Sequence, residues 1–405
     1  MPALHATAGV ASLACRLQAL ALPLLPSTER SLMGGATAEQ NSEFHGMGDQ
    51  APNMPYRQDT PARPAPTPGD TKGAQIPVVV GRARWPEARH FAALDLGTNN
   101  CRLLIARPQG ESFAVVDAFS RIVRLGEGLA ASGRLSEAAI DRTIAALKVC
   151  ADKLKRRNVA LSRAVATEAC RRATNGPDFI ARALAETGIH LDIISAEEEA
   201  RLAVLGCHAL IEPGDEPALV FDIGGGSTEL ILIDTRGPAP RVLDWHSAPW
   251  GVVSLTESAG HADGDDEAVR LASYATMRAL VAESFAAFAA RLPRDVARPR
   301  LLGTSGTVTT LASVHLGLPH YDRSQIDGLI VPAASMRRIS ADLSRMDLRE
   351  RATLPCIGTE RADLVVAGCA ILETIMDLWP AERLGVADRG IREGILRRLM
   401  GGRPL

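Results

Sequence analysis

Along most of the chain after residue 86, short apolar runs alternate with polar turns and with longer stretches of helical periodicity. Two of the short runs, Leu219–Phe221 and Leu230–Ile233, have the composition of buried strands and flank a glycine-rich turn. Apolar residues recur at every third or fourth position in three longer stretches that predict helices: Leu135–Arg157, Asp265–Arg291 and Glu360–Leu378. Strands that alternate with helices in this way are typical of an α/β fold.

The turn between the two strands has the composition of a phosphate-binding loop. Glycines let backbone N–H groups approach an anion without a Cβ in the way, hydroxyls add donors, and carboxylates suit Mg²⁺ or water beside a phosphate. A tight hairpin with acidic residues at its rim is the alternative, but such a hairpin needs only one or two glycines. The residues of this turn are Asp222, Gly224, Gly225, Gly226, Ser227, Thr228 and Glu229.

The same arrangement occurs earlier in the chain, where a strand, Asp95, a glycine-hydroxyl turn and a second strand follow one another. That turn contains Gly97, Thr98 and Asn99. Two such hairpins predict two related domains that face each other across a nucleotide- or phosphate-sized cleft. We expect the first domain over residues 87–211 and the second over 212–387.

Residues 1–86 differ from the rest of the chain. They include a Pro-rich segment and a polar segment with few aliphatic residues, and no periodicity persists through them. This composition predicts a disordered N-terminal extension. An internal translation start at Met33, Met47 or Met54 is an open alternative.

Composition and charge exclude several functional classes. The chain has 405 residues and a formal net charge of −2, which argues against non-specific nucleic-acid binding through whole-molecule charge. Seven scattered cysteines without a C-x-x-C motif fit a reduced cytoplasmic protein and neither a disulfide framework nor a zinc site. No apolar run approaches the roughly 18 residues of a membrane span, so no membrane association is expected.

Two further residues are candidates for chemistry. Ser195 and Glu198 form the S-x-x-E pattern of a helix N-terminus, which leaves the neighbouring Glu199 without a local structural role. Arg171 follows the end of a predicted strand, where α/β folds place ligand-binding groups, although a solvated surface arginine is the commoner explanation. A predicted strand, Arg300–Leu302, runs into a glycine-hydroxyl turn from Gly303 to Thr307 and then a helix, and such a turn at a helix N-terminus suits an anion.

Taken together, these motifs resemble the exopolyphosphatase / guanosine-pentaphosphate phosphatase family. The resemblance covers Phe91 to Arg398 with the motifs in the family's order. It rests on Asp95-Leu-Gly-Thr-Asn, Arg124-Leu-Gly-Glu-Gly-Leu, Thr167 with Arg171, Ile194-Ser with Glu-Glu-Ala-Arg-Leu, Asp222-Ile-Gly-Gly-Gly-Ser-Thr-Glu-Leu, Gly303-Thr-Ser-Gly-Thr and Ala387-Asp-Arg-Gly-Ile-Arg-Glu-Gly.

The resemblance implies the fold of the actin, sugar-kinase and heat-shock-chaperone superfamily, with two related ribonuclease H-like α/β domains facing across a cleft. The C-terminal helix, residues 388–400, is then expected to return to the first domain. The implied reaction is hydrolysis of a phosphoanhydride bond, at the end of polyphosphate or at the 5′ end of guanosine pentaphosphate. The chain resembles the short, two-domain form of the family, in which homodimers are common.

Site roles follow from the matching motif positions. The resemblance implies that Glu199 is the catalytic carboxylate that activates water, with Mg²⁺ or Mn²⁺ as the cofactor. The implied metal ligands are Asp95, Asp222 and Glu229. The implied phosphate-binding residues are Gly97, Thr98, Asn99, Arg171, Gly224, Gly225, Gly226, Ser227 and Thr228.

Two other functions stay open at this point. A metabolite kinase of the same superfamily would use an acidic base beside a sugar pocket, but Gly303–Gly306 only loosely matches the adenosine-binding glycines of such kinases. A non-catalytic sensor would bind alarmone or polyphosphate without turnover. The presence of Glu199, Asp222 and Glu229 together argues against a sensor.

Overall fold

The computed structural model describes residues 89–401, except 111, 238, 261–265 and 293–297. The predicted disordered extension, residues 1–86, lies outside this range. The strands of the described residues are β1 (His90–Leu96), β2 (Asn100–Gln109), β3 (Ser112–Ile122), β4 (Val159–Ala166), β5 (Leu191–Ile193), β6 (Ala218–Ile223), β7 (Thr228–Asp234), β8 (Arg241–Ala248), β9 (Arg300–Thr304), β10 (Ile330–Pro332) and β11 (Arg383–Ala387).

The α-helices of the same residues are α1 (Leu129–Ser132), α2 (Glu137–Arg156), α3 (Glu168–Arg172), α4 (Gly176–Thr187), α5 (Ala196–Cys207), α6 (Val252–Ala259), α7 (Glu267–Arg291), α8 (Gly306–His315), α9 (Arg323–Ile326), α10 (Ala333–Arg345), α11 (Leu348–Ala352), α12 (Val365–Leu378) and α13 (Ile391–Met400). The helix predicted over 360–378 therefore begins only at Val365. The residues before it form turns, with Gly358 in the left-handed conformation at φ 64°. This difference matters for the cleft described below.

The strands form two sheets with the same internal plan. The first has the order β3-β2-β1-β4-β5, and the second β10-β11-β9-β6-β7-β8. In each, an antiparallel meander (β1–β3 or β6–β8) is followed by two parallel strands (β4 and β5, or β9 and β11) beside its first strand. The second sheet adds β10 at its edge. The fold class predicted from the paired hairpins, two related α/β units, is confirmed.

Each sheet has an apolar core on both of its faces. In the first, β1 and β2 pack against α2 and α4 on one face and against α13 on the other. In the second, α7, α8, α10 and α12 cover one face, and α5 covers the other. The chain thus crosses over twice, because α5 leaves the first sheet to cover the second and α13 leaves the second to cover the first. The domain boundaries at 211 and 387 stay predictions.

Helices α5 and α13 cross at very short range, and glycines make the crossing possible. A Cβ on Gly206 would lie 1.9 Å from the Gly390 carbonyl oxygen, and one on Gly394 would lie 2.1 Å from that of Leu202. Contacts this short leave no room for any side chain. The two helices run antiparallel, since Gly206 near the end of α5 meets Gly390 at the start of α13, and Glu198 near the start of α5 accepts a hydrogen bond from Arg398 near the end of α13. Within the described residues, no helix combines the length and hydropathy that a membrane span requires.

Candidate active site

The two glycine-hydroxyl turns have the same backbone geometry. Asp95 lies opposite Arg102 in the first hairpin, and Asp222 lies opposite Glu229 in the second. The Gly97 amide donates to the Asn100 carbonyl at 2.9 Å, and the Gly224 amide donates to that of Ser227 at the same distance. The aspartates therefore occupy equivalent positions, whereas the opposite strand carries an arginine in one hairpin and a glutamate in the other.

The tips of the hairpins meet, and the glycine run of the second hairpin is what lets them approach. A Cβ on Gly225 would lie 2.9 Å from Thr98 Cβ and 3.0 Å from the Asn99 amide nitrogen. A Cβ on Gly226 would lie 2.6 Å from Thr98 Oγ1. Glycine is thus required here by close packing between hairpins, in addition to the access to N–H groups expected from the sequence.

A cleft with an empty volume of about 1190 Å³, open to solvent, lies beside the hairpin tips. It brings together most of the residues singled out in the sequence. Those that line it are Asp95, Gly97, Thr98, Asn99, Glu199, Asp222, Gly224, Gly225, Gly226, Ser227 and Glu229.

Two of the predicted phosphate-binding residues, Thr228 and Arg171, are not among the lining residues. The Thr228 hydroxyl is buried and donates to the Trp250 carbonyl at 2.6 Å. Arg171 lies behind the cleft wall, where Nη1 donates to Glu199 Oε2 at 2.7 Å and Nη2 to Glu168 Oε2 at 2.8 Å. In this arrangement the Arg171 guanidinium holds two carboxylates that line the cleft, and its contact with phosphate stays a prediction.

Glu199 owes its position to the start of α5. As expected, Ser195 caps the helix, accepting a hydrogen bond from the Glu198 amide at 3.2 Å. The Glu198 side chain does not complete the capping box but receives a hydrogen bond from Arg163 Nη1 at 2.9 Å. Glu199, in the first helical turn, is only 7% exposed and faces the cleft. A buried carboxylate in a cleft is a candidate for acid–base chemistry.

Four of the acidic residues that line the cleft, Asp95, Glu199, Asp222 and Glu229, affect one another's ionisation. Burial, reinforced by Asp95, raises the pKa of Asp222 to about 6. Burial, reinforced by Asp222, raises that of Glu229 to about 7, while hydrogen bonds from Ser247 and Ser227 oppose the shift. Burial also raises the pKa of Asp95 and of Glu199, and Arg171 opposes the shift of Glu199. Negative charge in this cluster is costly, so the cluster favours a bound cation.

Arginines and helix N-termini also line the cleft. Arg361 Nη1 donates to Thr310 Oγ1 at 3.0 Å, and Arg389 Nε donates to Asp327 Oδ2 at 2.7 Å. Arg392 and Arg102 line the cleft too, and the Arg102 side chain makes no hydrogen bond or ion pair within the described residues. The N-termini of α8 and α13 open onto the same space through Ser305–Thr307 and Gly390–Arg392. Positive charge and helix N-termini together suit a polyanion.

Sequence reasoning assigned no role to these arginines, although signals for them exist. Arg102 occupies the hairpin position of Glu229, and Arg389 and Arg392 lie in the last of the recognised motifs. Arg361 gave no such signal, because it falls inside the stretch whose periodicity predicted a helix. Only the turn before α12 brings it to the cleft.

The acidic residues fit a divalent cation that shares its coordination with a ligand. Asp95 Oδ1 is buried and has no hydrogen-bond partner among the described residues, and carboxylate oxygens are the donors Mg²⁺ prefers. Over the same residues, no three carboxylate, imidazole or thiol groups converge as a complete protein-only metal site. Mg²⁺ is commonly held by one or two carboxylates together with phosphate oxygens and water, so both observations agree with it.

Known proteins are similar to this chain in sequence and in fold. The model of the Ppx/GppA phosphatase family matches residues 104–402. Exopolyphosphatase 2 of Mycobacterium tuberculosis is 33% identical over 324 residues, which cover 76% of this chain and 98% of that protein. The crystal structure of the Aquifex aeolicus member of the Ppx/GppA family aligns with a TM-score of 0.63 at 27% identity, covering 78% of this chain and 99% of that one.

The crystal structure of an exopolyphosphatase from Cytophaga hutchinsonii shares the fold, with a TM-score of 0.69 at 24% identity over 78% of this chain and 99% of that one. The family match extends over both sheets, and most of the residues that the motifs singled out line one cleft. The chain belongs to the Ppx/GppA phosphatase family.

Proposed function

We propose that this protein is an exopolyphosphatase, which hydrolyses the terminal phosphoanhydride bond of inorganic polyphosphate. The observation that carries the proposal is the juxtaposition, in one cleft, of a buried carboxylate cluster with arginines and two helix N-termini. The name of the 33% identical mycobacterial relative agrees with it. A polyphosphate end carries dense negative charge and needs both a metal-binding cluster and cationic groups around it.

Glu199 is the proposed general base. Arg171 fixes its Oε2, while Oε1 accepts no hydrogen bond within the described residues and is free to take a proton from water. The base must be ionised to act, and the same Arg171 opposes the rise in the pKa of Glu199 that burial causes. A carboxylate held in one orientation at the cleft wall can align a water with the terminal phosphorus atom.

The hairpins are the proposed phosphate cradle. Gly97–Asn99 and Gly224–Ser227 line the cleft, and because the Gly97 and Gly224 amides already close their own turns, the amides of Thr98, Asn99, Gly225, Gly226 and Ser227 are the proposed phosphate donors. Arg102 and Arg361 would neutralise charge that the transferred phosphoryl group spreads over its oxygens. Asp95, Asp222 and Glu229 would hold Mg²⁺ or Mn²⁺. When bound, this cation would neutralise phosphate oxygens and lower the charge repulsion among the carboxylates.

Guanosine pentaphosphate is the second candidate substrate, and the apolar part of the cleft favours it. Val252, Leu364 and Val365 line the same space as Arg361. Apolar side chains next to an arginine suit a purine base, which stacks on both. Polyphosphate has no group that would use such a surface.

Phosphate release from the two substrates, measured in parallel with Mg²⁺, tests the proposal. We expect the wild-type protein to release phosphate from long-chain polyphosphate, with Mn²⁺ able to replace Mg²⁺ and EDTA abolishing release. Release from guanosine pentaphosphate alone would make the protein an alarmone phosphatase. Binding of either compound without release would support a sensor, and phosphoryl transfer to a sugar without free phosphate would support a kinase.

A further inference from the structure

The loop between β3 and α1 contains a motif that the proposed chemistry does not use. Arg124 in this loop has φ 48°, in the left-handed region that non-glycine residues avoid. The loop is tied to the first hairpin, since the Val123 and Arg124 amides donate to the Asn99 carbonyl and the Gly126 amide to that of Thr98. A strained residue held in place by several hydrogen bonds points to a function for its side chain.

The Arg124 side chain links the first α/β unit to the part of the chain that covers the second sheet. Its Nη1 donates to Asp363 Oδ2 at 2.8 Å and its Nη2 to the Glu360 carbonyl at 3.4 Å. The side chains of Arg124 and Asp363 are 34% and 19% exposed, so the pair is partly shielded from solvent. A second contact runs beside it, from the Gly128 amide to Glu257 Oε1 at 2.8 Å.

The segment that Arg124 holds carries one of the cleft arginines. Arg361 lies between Glu360 and Asp363, and its Nη1 donates to Thr310 in the middle of α8. Its carbonyl accepts hydrogen bonds from the Leu364 and Val365 amides, each at 3.0 Å, which close the turn before α12. The two atoms that Arg124 contacts therefore flank the turn that directs Arg361 into the cleft.

We propose that Arg124 is a positioning residue that couples the tip of the first phosphate hairpin to Arg361 on the opposite side of the cleft. The inference rests on the proposed function, because it assigns Arg361 to a phosphate of the bound substrate. Arg124 contacts the substrate at no point in this account. It fixes the distance between the Gly97–Asn99 turn and the Arg361 guanidinium, so that both engage one polyanion.

The first test uses free protein and needs no substrate. Hydrogen–deuterium exchange is measured at the Leu364 and Val365 amides in the wild type, in Arg124→Gln and in Asp363→Asn. We expect exchange at least about 5-fold faster in both variants, because the turn loses the contact that restrains it. Arg182→Gln, which removes an exposed ion-pair network within the first α/β unit, is the control and leaves these amides unchanged. Unaltered exchange in both variants would overturn the proposal.

The second test uses steady-state phosphate release from polyphosphate. We expect Arg124→Gln and Asp363→Asn each to raise KM by about 5- to 20-fold with kcat within about 3-fold, and the double variant to match either single one. In an Arg361→Gln background, Arg124→Gln adds less than about 2-fold. A merely structural role would give additive losses in that background, together with a lowered melting temperature, and would contradict the proposal.

The two tests separate the inference from the proposed function. If the wild type released no phosphate from polyphosphate, the proposed function would fail, while the exchange measurement would still decide whether Arg124 restrains the Arg361 turn. If Arg124→Gln did not fold, Asp363→Asn would test the same ion pair from the other side of the cleft.

Discussion

The two hairpins at the cleft have the same backbone geometry but carry side chains of different charge and size. Asp95 and Asp222 occupy equivalent positions, yet the residue opposite each aspartate is Arg102 in the first hairpin and Glu229 in the second. The tips differ as well, since Thr98 and Asn99 keep side chains where the second hairpin has Gly225 and Gly226. The first hairpin thus contributes the Arg102 cation and the larger side chains at its tip. The second contributes the Glu229 carboxylate, and its glycine tip leaves room for the side chains of the first.

This difference shows how a repeated element can build an asymmetric site. Two identical acidic hairpins would gather four carboxylates with no nearby compensation, which is costly in a buried cleft. Arg102 lowers that cost, because it opposes the raised pKa of both Asp95 and Asp222. Likewise, two tips with side chains would collide, so one tip must consist of glycine.

Among changes to the two hairpins, the largest expected effect comes from neutralising the residue opposite each aspartate. Glu229→Gln should lower kcat for phosphate release about 100-fold, since it removes a proposed metal ligand from the cluster. Arg102→Gln should act mainly on KM, raising it about 10-fold, because it removes a cation that meets the phosphate. Steady-state kinetics with polyphosphate and Mg²⁺ measure both. If both substitutions changed the same kinetic constant, kcat or KM, by the same factor, the proposed difference between a metal-binding Glu229 and a phosphate-binding Arg102 would be contradicted.

The next largest effect concerns the glycines at the tips. Gly225→Ala should lower the free energy of unfolding by about 1–3 kcal/mol, because the new Cβ would meet Thr98 and the Asn99 backbone at about 3 Å. Gly97→Ala, whose Cβ would lie 3.6 Å from its nearest neighbour, is the matched control and should cost less than about 1 kcal/mol. Urea denaturation measures both. A smaller loss in Gly225→Ala than in Gly97→Ala would contradict the close approach of the hairpins.

The smallest effect is a pH dependence of stability, carried by the acidic hairpin. The pKa values of Asp222 and Glu229, about 6 and about 7, are raised from ordinary values of 3.8 and 4.5, so the folded protein binds more protons than the unfolded chain between these limits. Their contribution is present below pH 4 and lost as pH rises through 6 and 7. In EDTA, the unfolding free energy should fall by at least about 1 kcal/mol between pH 5.5 and 8.

Mg²⁺ should reverse this loss, and do so more strongly at pH 8, where the carboxylates are ionised. Thermal denaturation with and without Mg²⁺ at both pH values measures the change. Asp222→Asn is the control, in which the loss between pH 5.5 and 8 should shrink. A melting temperature that rises with pH in EDTA would contradict the assignment.

Local sequence signals predicted the parts of the site that local structure determines. The Asp-x-Gly turns predicted both hairpins, and Ser195 predicted the start of α5 and hence the place of Glu199. Features of the site that depend on contacts between residues far apart in the sequence could not be predicted from local patterns. Periodicity extended the last long helix back to Glu360 and so hid the turn that brings Arg361 to the cleft, and the pairing of Arg171 with Glu199 depends on β4 and β5 lying side by side.

The central claim is that Glu199 activates water for attack on a phosphate held by the two hairpins. Phosphate release and equilibrium binding of polyphosphate, measured side by side for the wild type and Glu199→Gln, test it most directly. We predict that the substitution lowers phosphate release at least about 100-fold, while the dissociation constant for polyphosphate changes less than about 3-fold. Phosphate release near the wild-type rate in Glu199→Gln would contradict the claim.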